Sequence, residues 1–193
     1  MKQDIRITKT IEQINISFLA LLEEKSFENI VVQNILDKAK INRSTFYKHF
    51  QNKHAVALQL IDELKATLLG NFEDRFSIPT TQFAQKVTPV FLQNKKIIRL
   101  IGQIESPKIN LYRELQKIIK RQYITQVKKG TNKSDADLDL QAHIFATTIL
   151  GMMRYFVERD EPPVAEKVLR DIKEVFNQLI IEEKIPQSKK IKG

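Results

Sequence analysis

From Ile7 onward the apolar residues of this chain recur at steps of three and four, and almost nowhere do they alternate. Ile7, Ile11, Ile14, Phe18 and Leu21 make the first such stripe, the signature of one face of an amphipathic helix. "VVQNILDKA" reads as a short second helix, and "NRSTFYKHF" as a third with Asn42 placed to cap it. A fourth helix starts at Lys53 and runs through Leu58, Ile61, Leu64 and Leu68 to about Phe72. "SIPTTQ" marks a break and a new start, with Pro79 in the first turn. A long helix is predicted from Ser106-Pro107 to Gly130, and another from Ser134, with its acids at the end where the helix dipole favours them. "PPVAEKVLRDIKEVFNQLIIEEK" is the last, and "IPQSKKIKG" reads as a loose basic tail. Strand alternation, tight-hairpin signals and a fixed repeat are all missing from the sequence. The expected fold is all-α.

Composition sharpens this in three places. A hydrophobic share of 42% over 193 residues is enough for a real core. The absence of cysteine removes disulfides, thiolate metal sites and cysteine nucleophiles, and suits a reducing, cytoplasmic setting. A formal net charge of +9 favours an anionic partner. The N-terminal stretch mixes charges with aliphatics and does not read as a signal peptide, and no apolar run approaches the roughly 20 residues of a membrane span.

The stretch "INRSTFYKHFQNKHA", Ile41 to Ala55, carries the strongest functional pattern. At about 100° per residue, Phe46 and Phe50 point one way, and Ser44, Thr45 and Lys48 point the other. Arg43 with Tyr47, and Thr45 with His49, form the flanks. No carboxylate appears here until Asp62. Ile35, Ala39 and Ile41 supply apolar contacts for the phenylalanine pair across a tight "AKIN" turn. Two short helices joined by such a turn and buttressed by a longer one make a helix-turn-helix, whose second helix enters the major groove. Arginine can bridge guanine O6 and N7, and serine and threonine can donate or accept. Tyr47, Lys48, His49 and Lys53 have the reach and the donors for phosphate oxygens.

"VVQNILDKAKINRSTFYKHFQNKHAVALQLID" resembles the DNA-binding signature of the tetracycline-repressor-like (TetR) family of bacterial regulators. Ala39, Ile41, Thr45, Phe46, Tyr47, Phe50 and Lys53 match that pattern in register, and the resemblance covers about Asp4 to Leu64. It implies that Tyr47 and Lys53 contact phosphates. It also implies that Gln33, Arg43, Ser44, Thr45, Lys48 and His49 face DNA. Two departures stand out. The residue after the alanine is usually glycine and here is Lys40; in a left-handed conformation a lysine costs on the order of 1 kcal/mol more than glycine. The second helix usually opens on serine or threonine and here opens on Val31-Val32, which lacks a cap and a phosphate contact.

The expected organisation is a helix-turn-helix domain over residues 1–53, extending into a linking helix to about 70. A larger helical effector-binding and dimerisation domain follows over 54–185, with a disordered basic tail over 186–193. In the helix from Ser134, Leu138, Ala142, Phe145, Ile149, Met152 and Phe156 form one stripe, and Ala136, Leu140, Ile144, Gly151 and Tyr155 form a neighbouring one. A helix apolar on two sides packs on two sides. The last helix repeats this through Val168, Leu169, Ile172, Val175, Phe176, Leu179 and Ile180. One side can close the monomer and the other pair with a second copy as a four-helix bundle, the homodimer the resemblance implies. An effector pocket is implied as well. Phe83, Phe91, Tyr112, Phe145, Met152 and Tyr155 are candidate walls, and Arg99, Arg113 and Arg154 are candidate anion contacts, but the effector itself is not legible.

Other chemistry finds no footing in the sequence. Asp135, Asp137 and Asp139 have EF-hand-like spacing, but Leu140 stands where glycine is needed and Ala146 where the bidentate glutamate would be. His49, His54 and His143 lack metal-ligand spacing, and no triad, phosphate loop or dinucleotide fingerprint appears. No enzyme activity, cofactor or metal is expected. The sequence predicts a homodimeric regulator that binds a double-stranded DNA operator and is released by a small-molecule effector. The alternative is a helical coactivator of the same fold that docks on protein partners.

Overall fold

The computed structural model describes residues 2–70 and 72–179 and is all-helical over them. Ile180 and the basic tail at 186–193 lie outside the described residues. One compact unit runs to Pro162, and a second holds the last helix.

In the first unit, α1 (Lys2–Glu24) turns Ile14, Phe18 and Leu21 into the core, while Ile7 at the outer end of the stripe is exposed. A single 3₁₀ turn (Phe27–Asn29) leads through extended Ile30 and Val31 into α2 (Val32–Ala39). The three residues Lys40–Asn42 connect α2 to α3 (Arg43–Tyr47), and α4 (Lys53–Leu69) follows. Asn52 caps α4, its Oδ1 accepting from the Ala55 N–H at 3.0 Å. The buried face of α4 is Val56, Ala57, Leu60, Ile61 and Leu64. Leu58, expected inside, is exposed, because it stands about 60° beyond Ile61, the edge of that face on the helical wheel. A 3₁₀ turn (Phe72–Phe76) then leads to α5 (Thr80–Gly102), with Pro79 at its N-cap.

The next helix starts later than the Ser106-Pro107 punctuation predicts. Ser106 and Ile109 close a tight turn, in which the Ile109 N–H donates to Ser106 Oγ at 2.9 Å and Ser106 N–H donates to the Ile109 carbonyl at 3.1 Å. Burial of Ile109 holds that turn in place. Asn110 therefore becomes the cap, accepting from the Arg113 N–H at 2.9 Å, and α6 spans Leu111–Val127 before a last 3₁₀ turn ends at Gly130. α7 (Asp135–Val157) opens on a capping box in which Ser134 and Asp137 exchange side-chain-to-backbone bonds. The other two aspartates pair elsewhere, Asp135 with Lys128 and Asp139 with Lys120, so the acidic run is a capped helix start.

The inward stripe of α7 is Leu138, Ala142, Ala146, Leu150 and Val157, with Phe145, Ile149 and Met153 packed beside it. It passes Met153 and Val157 rather than the expected Met152 and Phe156. From Leu138 the inward face advances by steps of four, each turning about 40° further round the helix, so by Leu150 and Val157 it has rotated by roughly 100–120°. Leu140, Ile144 and Tyr155 stay exposed on the other side.

Packing does not break at the end of the helix-turn-helix. One hydrophobic cluster joins Phe18 of α1, Phe46, Val56 and Ile61 to Ile98 and Ile101 of α5, Leu115 of α6 and Val157 of α7.

The second unit contributes α8 (Ala165–Leu179). Its Val168, Leu169, Ile172, Val175, Phe176 and Leu179 share one arc, its charged residues occupy the opposite arc, and none of its residues is buried.

Candidate nucleic-acid interface

α3 is presented by an anchor beneath it and a lock at each end. Phe46 is fully buried and Phe50 nearly so, their ring centroids 5.9 Å apart, which fixes the helix's inner side in the α1–α4 core. At the N-terminus, Asn42 Oδ1 accepts from the Thr45 N–H at 2.8 Å and from the Ser44 hydroxyl at 2.9 Å. Beyond the C-cap, the His49 and Phe50 N–H groups both return to the Phe46 carbonyl at 2.9 Å.

The turn into α3 answers the question raised by Lys40. That residue has φ 53° and ψ 41°, a left-handed conformation carried without glycine. The Ile41 N–H reaches the Leu36 carbonyl at 3.2 Å and the Lys40 N–H the Asp37 carbonyl at 3.4 Å, the paired bonds of a Schellman stop. Gln13 of α1 donates to the Ala39 carbonyl at 2.6 Å, so the end of α2 is also held from outside. At the start of α2, Asn34 Oδ1 accepts from the Val31 N–H at 3.0 Å. Half of a capping box thus survives, although Val31 has no side-chain acceptor to complete it.

Outward, the arrangement is one-sided. Gln33, Arg43, Ser44, Tyr47 and Lys48 are exposed, and Thr45 and His49 are half-buried. Tyr47 sets its ring edge-on to Phe46 at 5.4 Å, leaving its phenol end in solvent. Arg43 donates to Gln33 Oε1 at 3.1 Å, and Gln33 donates to Asp37 Oδ1 at 2.8 Å, which ties the base-reading candidates of α3 to α2. Gln13, Asn34 and Asp37 are not among the residues singled out by sequence. Asp37 was findable from its i, i+4 spacing to Gln33, whereas the Gln13 bond spans 26 residues and has no local signal.

Lys53, expected among the phosphate contacts, turns its ammonium toward the protein's own backbone. Its ammonium donates to the carbonyls of Phe27 at 2.7 Å, Glu28 at 3.0 Å and Ile30 at 2.7 Å, and lies 4.6 Å from the Phe27 ring centroid. Burial pulls its pKa below the ordinary lysine value, with Glu28 pulling the other way.

A model of bacterial regulatory proteins of the tetR family matches residues 19–60, the end of α1 through the first half of α4. Those residues carry the DNA-binding signature of that family. An uncharacterised HTH-type transcriptional regulator of Bacillus subtilis (strain 168), YxbF, is 24% identical over 174 residues. That match covers 87% of this chain and 44% of the relative, so the chain spans less than half the length of the curated relative it matches. A TetR transcriptional regulator from Streptococcus agalactiae 2603V superposes with a TM-score of 0.67 at 20% identity, covering 91% of this chain and 97% of that one. A transcriptional regulator from Aquifex aeolicus VF5 gives 0.61 at 20% identity, covering 89% and 99%. At these identities the two structures speak for the TetR-like fold.

The candidate effector residues scatter. Arg99, Tyr112 and Arg154 line an open cleft of about 400 Å³ with Gly102, Gln103, Glu105 and Glu158. The Arg154 guanidinium lies 4.0 Å from the Tyr112 ring centroid, and burial raises the Tyr112 pKa above its ordinary value. Arg113 instead donates to the Pro107 carbonyl at 2.7 Å. Phe83 and Phe145 join Phe72 in an aromatic cluster that also takes in Phe76 and Tyr123. Phe91 is half-buried at the core's edge, Met152 is half-buried, and Tyr155 is exposed under the Arg159 guanidinium.

Proposed function

We propose that this chain is a homodimeric, sequence-specific DNA-binding regulator, a repressor released by a small-molecule effector. The observation that carries the reading is the exposed, acid-free face of α3, with Arg43, Ser44, Tyr47 and Lys48 displayed on a buried Phe46–Phe50 anchor. Arg43 and Ser44 at the first turn serve the base edges; Tyr47 and Lys48 serve phosphates and set register. Gln33, Thr45 and His49 complete the DNA-facing set. The exposed stripe of α7 and the one-sided apolar arc of α8 support pairing with a second copy. In such a dimer two recognition helices about 34–36 Å apart fit successive major grooves. An effector that prefers a different spacing lowers operator affinity by reciprocal coupling.

The test is binding to DNA from upstream of the chain's own gene and to scrambled DNA, across a salt series. Affinity for both should fall steeply with salt. Arg43→Ala should cost about 1–3 kcal/mol on the operator and relax preference at one base pair per half-site. Equal losses on both DNAs would make Arg43 a phosphate contact. Absence of DNA binding altogether would move the protein-docking coactivator reading to first place.

A further inference from the structure

We propose that Lys53 is a positioning residue: its ammonium fastens the connection between α1 and α2 onto the first turn of α4, and it is not a phosphate ligand. The inference deepens the DNA-binding reading and rests on it only for its DNA-bound arm.

An ammonium has three N–H donors and no acceptor. Here the carbonyls of Phe27, Glu28 and Ile30 take them, at 2.7, 3.0 and 2.7 Å. These carbonyls lie along one tight 3₁₀ turn and the residue after it, where C=O groups at the end of a turn converge and favour a cation, that of Phe27 also accepting from the Ile30 N–H at 3.2 Å. A phosphate approaching Lys53 would compete with these three acceptors, and taking the donor from the part-buried Ile30 carbonyl would be a net loss for the fold. The ring beneath the ammonium is itself fixed: Phe27 is buried, edge-on to Phe18 of α1 at 6.2 Å and to His54 of α4 at 5.1 Å. One cation and one ring thereby join α1, the 3₁₀ turn and α4.

The consequence falls on the reading head. Ile30, the last carbonyl held, is one residue before Val31, where α2 is capped. The position of α2 in turn sets Gln33, which holds Arg43. Lys53 acts on DNA through this chain of contacts. Exchange to arginine keeps the charge but not the geometry, since a planar fork cannot aim its donors at three convergent carbonyls.

Lys53→Met and Lys53→Arg separate the two roles. Without DNA, both variants should melt roughly 5 °C lower than the parent. The amides of Asn29 and Ile30 should exchange with solvent at least about tenfold faster, because they belong to the fastened turn. With DNA, affinity should fall in both variants while the slope of log affinity against log salt stays at the parental value. The proposal is overturned if Lys53→Met melts and exchanges like the parent. It is equally overturned if the methionine variant loses about one unit of salt slope per protomer and arginine restores it. Should Lys53→Met fail to fold, Lys53→Arg decides by the same amide exchange. Should the parent bind no DNA, the DNA-free measurements still decide, so failure of the clamp and failure of the DNA-binding reading remain distinct.

Discussion

The helix-turn-helix and the α7–α8 region use the same helical periodicity toward opposite ends. Around α2 and α3 nearly every polar backbone end has a named partner: Gln13 on the Ala39 carbonyl, Asn34 on the Val31 N–H, Asn42 on the Thr45 N–H, Lys53 on three carbonyls. The apolar side chains beneath are covered within the chain. On α7 the situation is reversed, with the inner stripe closed but Leu140, Ile144 and Tyr155 left in solvent. On α8 no apolar residue is buried: Val168, Leu169 and Ile172 are half-buried, and Val175, Phe176 and Leu179 are exposed. The first region is finished as a monomer. The second leaves apolar side chains in water, and a contiguous apolar stripe so exposed is the usual mark of an interaction site.

The comparison breaks most violently at Phe46. Phe46→Ala should cost about 3–5 kcal/mol in chemical denaturation, because a fully buried ring is removed beneath a helix with little else to hold it. A cost below 1 kcal/mol would mean the reading head is not closed on its own core. Ile144→Asp tests the opposite claim. It should weaken self-association at least about thirtyfold, roughly 2 kcal/mol, by sedimentation, while leaving the helical content of the monomer intact. A variant that sediments as the parent does would reduce the outer stripe of α7 to ordinary surface.

How much of this the sequence carried depends on the range of the signal. The α3 face, its Asn42 cap and the phenylalanine anchor depend on residues within a turn or two, and all three can be read directly from the chain. The left-handed turn was foreseeable as a position, since the alanine and aliphatic on either side mark it, although lysine stands where glycine is expected. What sequence reading missed is long-range. Lys53 reaches the Phe27 carbonyl across 26 residues, as does Gln13 to Ala39, and neither has a periodic or local signature. The carbonyl partners of a lysine at a helix start therefore come to light only in the folded chain. The early start expected for α6 failed for a related reason: Ser106-Pro107 is good start punctuation, yet burial of Ile109 gives those residues a turn of their own.

Two smaller effects refine the contrast. Lys40→Gly should stabilise the fold by about 1 kcal/mol, since glycine adopts the left-handed conformation without the steric cost a Cβ brings. Unchanged or lowered stability would show that the lysine side chain earns its place by contacts of its own. The smallest effect is at the cap of α7. The Ser134 hydroxyl, then its backbone N–H, hold the Asp137 carboxyl below its usual value of 3.8. A carboxylate with a depressed folded pKa contributes stability that is fully present above its unfolded value and is lost as pH falls through the folded one, here below about pH 4. Ser134→Ala should move the Asp137 titration, followed by NMR, back toward 3.8. An unmoved titration would mean that the hydroxyl is not what holds it down.

The five residues of α3 are fewer than two turns, and that brevity has a kinetic consequence. In any α-helix the first four N–H groups and the last four C=O groups lack intrahelical partners, so a helix this short is nearly all ends. Nucleating one turn in isolation is unfavourable by a factor of about a thousand, and α3 has almost no length over which to recover it. The segment proposed to read DNA thus has no lifetime of its own. It forms only as Asn42, the Schellman stop and the phenylalanine anchor close around it, and its amide protons should report the opening of that whole assembly rather than any fraying of a helix.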